Sequence, residues 1–292
     1  MSWFPRPIAH TDKRPVFITG APRCGSSWVG EVLGNCRDTR YVYEPFNHDW
    51  MPALQGQSAH FTYLKAPPCT LVGEVAECAF QGRQSWKQLR RSVYRGYLGA
   101  ATRHASSVIV KDPTAPLMSS WVSEQFNAQI LFIMRHPCGF ASSLDTLGWP
   151  LGVNRLLNQK TLMRDHLEPF REVLVRARND RWETLGAIWA GIHLVYARQK
   201  ESQPDWYLYK YEDICLDPLE QFTSITQTLG LELRSQTLER IRALSSTDST
   251  DPGSTRRNSK AMPDVWRQRM SAGEIAAVMG VVREFGLDYY QA

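Results

Sequence analysis

Several features that would mark a membrane, secreted or metal-binding protein are missing from this sequence. It has no run of about eighteen apolar residues, so no membrane-spanning helix is expected. Its six cysteines form no Cys-x-x-Cys pair, and its seven asparagines begin no Asn-x-Ser/Thr sequon. Residues 1–13 lack the apolar core of a signal peptide. These absences predict a protein of the reducing cytoplasm that has no metal site.

The charge balance is also moderate. A net charge of +5 can help to attract an anionic small molecule, but it is far from a nucleic-acid signature, so no nucleic-acid partner is expected. The 292 residues are 43% hydrophobic and 22% charged, which is ordinary for a globular protein near the upper size of one hydrophobic core. We therefore expect a single domain over residues 15–292, preceded by an irregular arm over residues 1–14.

The stretch of residues 16–28 is the most informative part of the chain. Residues 16–19 are apolar and partly β-branched, which predicts a short buried strand. A tight loop runs from Gly20 to Gly25, and a helix is expected from Ser26. A strand, a glycine loop and a helix start together direct backbone N–H groups and the positive end of a helix dipole at an anion. The stretch therefore predicts an anion-binding loop.

This loop departs from the one that binds nucleoside triphosphates. Gly20 and Gly25 have the spacing of a Walker A loop, in which a lysine follows the second glycine and reaches the β- and γ-phosphates. Here Ser26 occupies that position, and the nearest cation is Arg23 inside the loop. The sequence thus favours a nucleotide whose reacting group is not a γ-phosphate.

Strands and helices alternate along the rest of the chain. This alternation predicts an α/β fold with a mainly parallel central sheet flanked by helices. In such sheets, ligands lie beyond the carboxyl ends of the strands. The residues that fall at predicted strand ends are Thr19, Asp112, Arg135 and Tyr211.

Four other segments carry expectations about local structure. A capping box at Ser85 predicts a basic helix that runs to about residue 103. Residues 71–76 fit either a strand or a buried turn. Residues 50–70 and 245–260 are rich in prolines or in small polar residues, and both are expected to be loops.

The loop after the first strand resembles the 5′-phosphosulfate loop of sulfotransferases that use 3′-phosphoadenosine 5′-phosphosulfate (PAPS). That family's loop reads roughly Pro-Lys/Arg-Ser-Gly-Thr/Ser-Thr/Ser-Trp, and this chain has Pro22-Arg23-Cys24-Gly25-Ser26-Ser27-Trp28. The resemblance implies a P-loop-like sulfotransferase fold over residues 15–292. It also implies that the donor contacts Arg23, Cys24, Gly25, Ser26 and Ser27, with Trp28 near the adenine.

Later positions resemble the rest of that family's donor site. Arg135 at a strand end, with Ser143 eight residues later, matches the family's 3′-phosphate site. An arginine there can fork onto a phosphate while a helix hydroxyl adds a second hydrogen bond. Tyr211 lies in a segment similar to the family's Tyr-Glu-Asp-Leu…Asp-Pro, which implies an adenine contact. Arg256 and Arg257 resemble a loop that closes over the 3′-phosphate, although the spacing is longer and the glycines do not match.

The catalytic base is the least determined part of the predicted site. Aryl and alcohol sulfotransferases have a Lys-x-His motif, but this chain has Lys111-Asp112-Pro113, so no histidine is carried over. Glu44, in Tyr-Glu-Pro-Phe, resembles the Glu-Pro segment of carbohydrate and bacterial glycolipid sulfotransferases, in which a glutamate serves as base. We expect Glu44 to be the base and Lys111 to assist. The alternative bases are Glu74, His48 and Asp112.

The resemblance implies transfer of a sulfuryl group from PAPS to a hydroxyl or amine, with PAP as product and without a metal. The expected acceptor is a small molecule, a glycan or a glycolipid. Two alternatives stay open. One is a nucleotide kinase or NTPase, since Asp112 resembles the strand-end aspartate that holds magnesium in such enzymes. The other is a non-catalytic nucleotide-binding protein of the same fold.

Overall fold

A parallel sheet forms the centre of the protein, in a computed structural model that describes residues 3–4, 13–55, 60–66, 71–94, 105–246 and 259–290. The strands are β1 (Trp3–Phe4), β2 (Val16–Thr19), β3 (Thr39–Tyr43), β4 (Gln84–Ser85), β5 (Ser107–Lys111), β6 (Gln129–Met134) and β7 (Trp206–Lys210). Five of them form the sheet in the order β3-β5-β2-β6-β7, and every neighbouring pair is parallel. The predicted α/β class with a mainly parallel sheet is confirmed.

Helices flank this sheet. They are α1 (Ser26–Leu33), α2 (Leu71–Phe80), α3 (Trp86–Tyr94), α4 (Ser119–Phe126), α5 (Pro137–Thr146), α6 (Asn154–Leu157), α7 (Lys160–Leu162), α8 (Arg171–Arg176), α9 (Arg181–Lys200), α10 (Tyr211–Leu216), α11 (Pro218–Thr228), α12 (Ser235–Ser246) and α13 (Ala272–Glu284). Single turns of other helix types include Pro52–Leu54, Met163–Leu167 and Val265–Gln268. In the described parts of the chain, no helix has both the length and the apolar content needed to cross a bilayer.

The central strands β2, β5 and β6 are buried on both faces, which explains their nearly continuous apolar sequences. Successive side chains of a strand point to opposite faces. Phe17 of β2 and Phe132 of β6 accordingly belong to one core, which also contains Trp189 of α9. Ile18 of β2 belongs to a second core together with Trp28 of α1. Two cores thus hold the sheet rigidly and fix the positions at which its strands end.

Capping residues precede several of the described helices, including the helix predicted after Ser85. Asp217 caps α11, and Ser271 forms a capping box with Glu274 at the start of α13. Ser85 and Gln88 exchange the same pair of hydrogen bonds in front of α3. The predicted continuation of α3 to residue 103 lies outside the described residues.

Two helices were not expected from the sequence. Residues 71–76 are neither strand nor turn but the first part of α2, whose buried residues Val72, Val75, Ala76 and Ala79 have helical spacing. The loop expected from residue 245 cannot begin there, because α12 continues to Ser246. Both helices bury an apolar face in a core, so their tertiary packing decides their structure.

Two smaller corrections concern the ends of elements. Tyr211, predicted at a strand end, is instead the first residue of α10, because β7 ends at Lys210. The N-terminal arm is not wholly irregular, since Trp3–Phe4 pairs with Gln84–Ser85 in a small antiparallel ladder. Within the expected loop over residues 50–70, Pro52–Leu54 forms one helical turn.

Candidate active site

The loop after β2 lies in the middle of the carboxyl edge of the sheet, because β2 is the central strand. A Cβ at Gly20, where φ is 140°, would lie 2.2 Å from the carbonyl oxygen of Ile133 on β6, so only glycine fits. Arg23 and Gly25 also have positive φ, 66° and 92°. Within the described residues, the first turn of α1 has no acidic side chain and no side-chain cap. The start of α1 is therefore suited to an anionic ligand.

Three predicted donor-binding residues meet on the β6 side of this loop. Arg135 follows β6, and Ser143 lies in α5, one strand away from the loop. The Nε of Arg23 donates to Oγ of Ser143 over 3.1 Å. The Nη1 of Arg135 donates to the carbonyl oxygen of Arg23 over 3.0 Å. The residues expected to bind the two anionic ends of the donor are thus neighbours in the structure.

Arg135 is oriented by its surroundings and keeps one buried nitrogen without a partner. Its guanidinium carbon lies 4.7 Å from the centre of the Tyr211 ring. A Cβ at Gly139 would come within 2.9 Å of its Nε, so this glycine lets the arginine lie against α5. Among the described residues, that Nε has no hydrogen-bond partner. A buried donor without a partner costs about 1–3 kcal/mol, so the guanidinium is suited to a ligand that supplies acceptor oxygens.

Tyr211 connects Arg135 to the loop. Its ring packs so closely on Gly25 that a Cβ there would lie 2.4 Å from the ring carbon Cδ2. Burial raises the pKa of the Tyr211 hydroxyl well above its usual value, although the nearby Arg135 charge opposes the shift. The ring is therefore a neutral spacer between two groups suited to anions. Its contact with adenine stays a prediction.

Glu44 and Lys111 form a buried ion pair on the other side of the loop, at the ends of β3 and β5. The Nζ of Lys111 contacts Oε1 of Glu44 and also donates to Oγ of Ser27 over 3.2 Å. The second carboxylate oxygen of Glu44 accepts from Nδ2 of Asn47 over 2.8 Å and from Nε1 of Trp50 over 3.1 Å. Lys111 thus links the loop directly to the predicted base.

The carboxylate of Glu44 is ionised in this environment. Burial alone would raise its pKa, but the Lys111 charge and the hydrogen bonds to Lys111, Asn47 and Trp50 outweigh burial and hold the pKa below its usual value. Glu44 also has a left-handed φ of 43°. Such strained positions of non-glycine residues cluster at functional sites. Its charge and position allow Glu44 to accept a proton.

Asp112 is a buried carboxyl behind this ion pair. Its Oδ2 accepts the N–H of Phe46 over 2.7 Å, and its Oδ1 accepts the N–H and the hydroxyl of Thr114 over 2.9 and 2.7 Å. Burial and the Glu44 charge raise the pKa of Asp112 to about 7, against the hydrogen bonds from Thr114 and Phe46. Through these hydrogen bonds to both of its oxygens, Asp112 holds the turn that carries Glu44.

The other two candidate bases lie in different surroundings. Glu74 is exposed on α2. The ring of His48 lies 5.4 Å from the ring of His60. Its Nε2 is buried and has no hydrogen-bond partner in the described part of the chain. Of the four candidates, Glu44 is the one whose carboxylate is joined through Lys111 to the loop.

The remaining predicted loop residues are mostly buried. Cys24 and Ser26 have almost no exposed surface. Burial raises the pKa of the Cys24 thiol, so this group is protonated. Trp28 packs edge-on against Phe222 of α11, with ring centres 5.3 Å apart. The proposed contact of Trp28 with adenine stays a prediction.

The last predicted donor contacts, Arg256 and Arg257, lie outside the described residues, and their role stays a prediction. The described chain resumes at residue 259, and Trp266 stacks on His136 with ring centres 4.4 Å apart. This stack places the segment that follows the predicted basic loop next to Arg135.

Several residues of the site are not evident from the sequence. Asn47 and Trp50 hydrogen-bond Glu44, and their only sequence signal is that they follow it in one short turn. Gly139 has no signal besides its place in α5, one turn from Arg135. Glu212 and Tyr290 fix the backbone beside Arg135, although 78 residues separate them. Contacts over such distances in the chain cannot be read from spacing.

Comparison with known proteins identifies the family. The sequence profile described as the sulfotransferase family matches residues 15–235. The sulfotransferase domain from the curacin biosynthetic pathway shares 14% identity over 94% of this chain and 98% of its own, with a TM-score of 0.53. The sulfotransferase domain from the Synechococcus PCC 7002 olefin synthase shares 16% identity over 98% of this chain and 99% of its own, with a TM-score of 0.50. Comparison with curated sequences gives no significant match.

This chain belongs to the sulfotransferase family, because the family profile spans most of its length. The two solved domains show that it has the sulfotransferase fold. Family and fold together imply sulfuryl transfer, and they confirm the resemblance noted in the loop of residues 22–28.

Proposed function

We propose that this protein is a PAPS-dependent sulfotransferase that transfers the sulfuryl group to a hydroxyl or amine of a small-molecule, glycan or glycolipid acceptor. One observation carries the proposal. The loop after β2 and the guanidinium of Arg135 are two groups suited to anions, and they are joined through Tyr211 and through the carbonyl oxygen of Arg23. PAPS has an anionic group at each of two separate positions of one adenylate, and this arrangement fits both.

In the proposed binding mode, the loop holds the 5′-phosphosulfate and Arg135 holds the 3′-phosphate. The N-terminus of α1, Arg23 and Ser27 face the sulfate end. A phosphate oxygen would supply the acceptor that the buried Nε of Arg135 lacks among the described residues. Ser143, which accepts from Arg23, adds a hydroxyl beside the same phosphate.

The proposed reaction is an in-line displacement at sulfur. The acceptor oxygen or nitrogen forms a bond to sulfur, and the bond from sulfur to the bridging phosphate oxygen breaks. Its electron pair stays on that oxygen, which leaves as part of PAP. Glu44 takes the proton of the acceptor. Arg23, the loop N–H groups and Lys111 stabilise the negative charge that develops on the leaving oxygen.

The alternative as a kinase or NTPase is less well supported. Lysine is missing after Gly25, and Ser26 stands in its place. Asp112, the residue that would hold magnesium, has both carboxylate oxygens engaged by Phe46 and Thr114. The absence of a metal from the reaction and the cytoplasmic location stay predictions of the sequence.

Calorimetric titration with PAP, 5′-AMP and Mg-ATP tests the donor assignment, together with transfer from labelled PAPS to a panel of acceptors. We expect PAP to bind more tightly than 5′-AMP, which lacks the 3′-phosphate. Arg135→Ala should weaken PAP about 10- to 100-fold, as expected for loss of a charge-assisted hydrogen-bond pair. Arg23→Ala should abolish transfer. Arg171→Ala, which removes an exposed arginine paired with Glu168, is the control and should change neither result.

Equal affinity for PAP and 5′-AMP would contradict the donor assignment. Tight binding of Mg-ATP would favour the kinase, and PAP binding without transfer to any acceptor would favour the non-catalytic protein.

In the transfer assay, Glu44→Gln should lower turnover about 10²- to 10⁴-fold while PAP affinity is retained. Glu74→Gln is the matched control. A double variant, Glu44→Gln with Lys111→Met, avoids leaving an unpaired buried lysine if the single variant does not fold.

A further inference from the structure

The peptide group between Arg135 and His136 is held on both sides. Its carbonyl oxygen accepts from Nε1 of Trp189 over 2.9 Å. Its N–H donates to Oε1 of Glu212 over 2.9 Å. A peptide group is planar, so two hydrogen bonds on opposite edges fix its rotation. That rotation sets the direction in which Arg135 leaves β6.

Glu212 is in turn held by a residue from the far end of the described chain. Its Oε2 accepts from the hydroxyl of Tyr290 over 2.7 Å. Burial, followed by the Glu212 charge, raises the pKa of Tyr290 far above its usual value, so the hydroxyl remains a donor. Both oxygens of Glu212 are thus engaged, one by the peptide beside Arg135 and one by Tyr290.

The Tyr290 ring contacts the other residues that surround this peptide. It meets His136 edge-on with ring centres 4.9 Å apart and lies 6.3 Å from the ring of Trp189. The Nζ of Lys210 lies over the Tyr290 ring, 4.8 Å from its centre, and donates to the carbonyl oxygen of Tyr289 over 3.0 Å. These contacts dock the segment around Tyr290 against the end of β6, next to the Arg135 guanidinium.

We infer that Tyr290 is a positioning residue for recognition of the 3′-phosphate, and that it acts through Glu212 and the Arg135–His136 peptide. The inference rests on the proposed function, since it assigns the 3′-phosphate to Arg135. Without the Tyr290 hydroxyl, Glu212 loses the partner that orients its carboxylate. The peptide can then rotate, and Arg135 no longer points consistently at the phosphate.

The test compares Tyr290→Phe with Tyr289→Phe. The control removes a neighbouring hydroxyl that makes no hydrogen bond within the described residues. Calorimetry measures the affinity of each variant for PAP and for 5′-AMP, and steady-state assays give KM for PAPS and for the acceptor. We expect Tyr290→Phe to weaken PAP about 5- to 20-fold, less than the full value of a hydrogen bond to a charged group because Tyr290 acts through Glu212, with 5′-AMP changed less than about twofold. KM should rise for PAPS and not for the acceptor.

A conservative pair of variants at Glu212 separates positioning from general loosening. Glu212→Gln keeps one oxygen for the His136 N–H and a polar group for Tyr290, so its ratio of PAP to 5′-AMP affinity should stay near that of the wild type. Glu212→Ala should lower the ratio of PAP affinity to 5′-AMP affinity, as Tyr290→Phe does. These two variants also give the answer if Tyr290→Phe does not fold.

The possible outcomes distinguish failure of the proposed function from failure of the inference about Tyr290. If the wild type itself binds PAP no better than 5′-AMP, the proposed function fails and the inference fails with it. If the wild type distinguishes the two nucleotides and Tyr290→Phe does so equally well, the inference alone is overturned. Equal weakening of both nucleotides by Tyr290→Phe would overturn it as well, because that result indicates a loss of stability without a specific effect on Arg135.

Discussion

Lys111 and Glu44 show how two buried charges determine each other's state. Each alone would be costly to bury, and together they keep Glu44 ionised in spite of burial. Lys111 also contacts Ser27, so its charge acts on the loop after β2 and on the proposed base at once. A change at Lys111 would therefore affect both proton transfer and donor binding under the proposed function.

The effect of burial and of the Glu44 charge on Asp112 can be tested through the pH dependence of stability. Its pKa is about 7 in the folded protein and 3.8 in its ordinary state, so its contribution to stability is fully present at low pH and is lost as pH rises through about 7. Asp112→Asn does not titrate. The free energy of unfolding of the wild type relative to this variant should fall by about 3–4 kcal/mol from about pH 4 to about pH 8.

Urea unfolding of both proteins over this pH range gives the measurement. The amide imposes a change of hydrogen bonding that does not depend on pH, so only the slope of the difference is informative. Asp49→Asn, at an exposed carboxylate, is the matched control for replacing an aspartate with asparagine. A pH-independent difference for Asp112→Asn would contradict the burial argument.

At the residue scale, the sequence predicts which side chains end strands but not which of them meet. Glu44, Lys111 and Arg135 are brought to one edge of the sheet, as their places at or near strand ends suggest. The direct pairing of Glu44 with Lys111 is not predictable in this way, because 67 residues separate them in the chain. Only the order of the strands brings these two together.

At the element scale, the loop and α1 depend on a glycine that serves two purposes. Gly25 has a φ of 92° and leaves room for the ring of Tyr211. Helix starts with a side-chain cap are readable from sequence, as at α11 and α13, because the cap is a local hydrogen bond. The helices α2 and α12 cannot be recognised in this way, because their stability comes from an apolar face that packs against distant parts of the chain.

Gly25→Ala should disrupt the contact between the loop and Tyr211. The new Cβ would lie 2.4 Å from the ring, and the positive φ adds strain of about 1–2 kcal/mol. We expect PAP affinity to fall at least about tenfold, since loop and ring must both shift. Gly148→Ala is the control, because Gly148 also has a positive φ of 61° but a Cβ there meets nothing within 4 Å. Calorimetry that finds equal PAP affinity for the two variants would contradict this account.

At the scale of the whole molecule, the long helix α9 lies against α13 with very little space between the two backbones. A Cβ at Gly186 of α9 would lie 2.7 Å from the carbonyl oxygen of Val278 in α13. The sequence shows the apolar faces of both helices but not that they pack together. The order of the strands cannot be read from the sequence either, because pairing of distant segments leaves no local signal.

Gly186→Ala should therefore lower stability without a direct effect on the site. We expect a loss of about 1–3 kcal/mol from overpacking, measured by thermal or urea unfolding. Gly280→Ala, in α13 where a Cβ meets nothing within 4 Å, should instead stabilise the protein by about 0.5–1 kcal/mol. PAP affinity of the folded fraction should be unchanged in both. Stability equal to that of the wild type for Gly186→Ala would show that α9 and α13 can move apart freely.

The place of β2 at the centre of the sheet has a consequence for divergence within such a fold. Arg135 and Tyr211 follow β6 and β7, whereas Lys111 ends β5 and Glu44 follows β3, on the opposite flank. Under the proposed function, substitutions on the β3 flank that spare Lys111 would alter the acceptor and leave the nucleotide contacts of Arg135 and Tyr211 in place. Acceptor specificity could then diverge by changes on the β3 side of the sheet, while the residues on the β6 side are conserved.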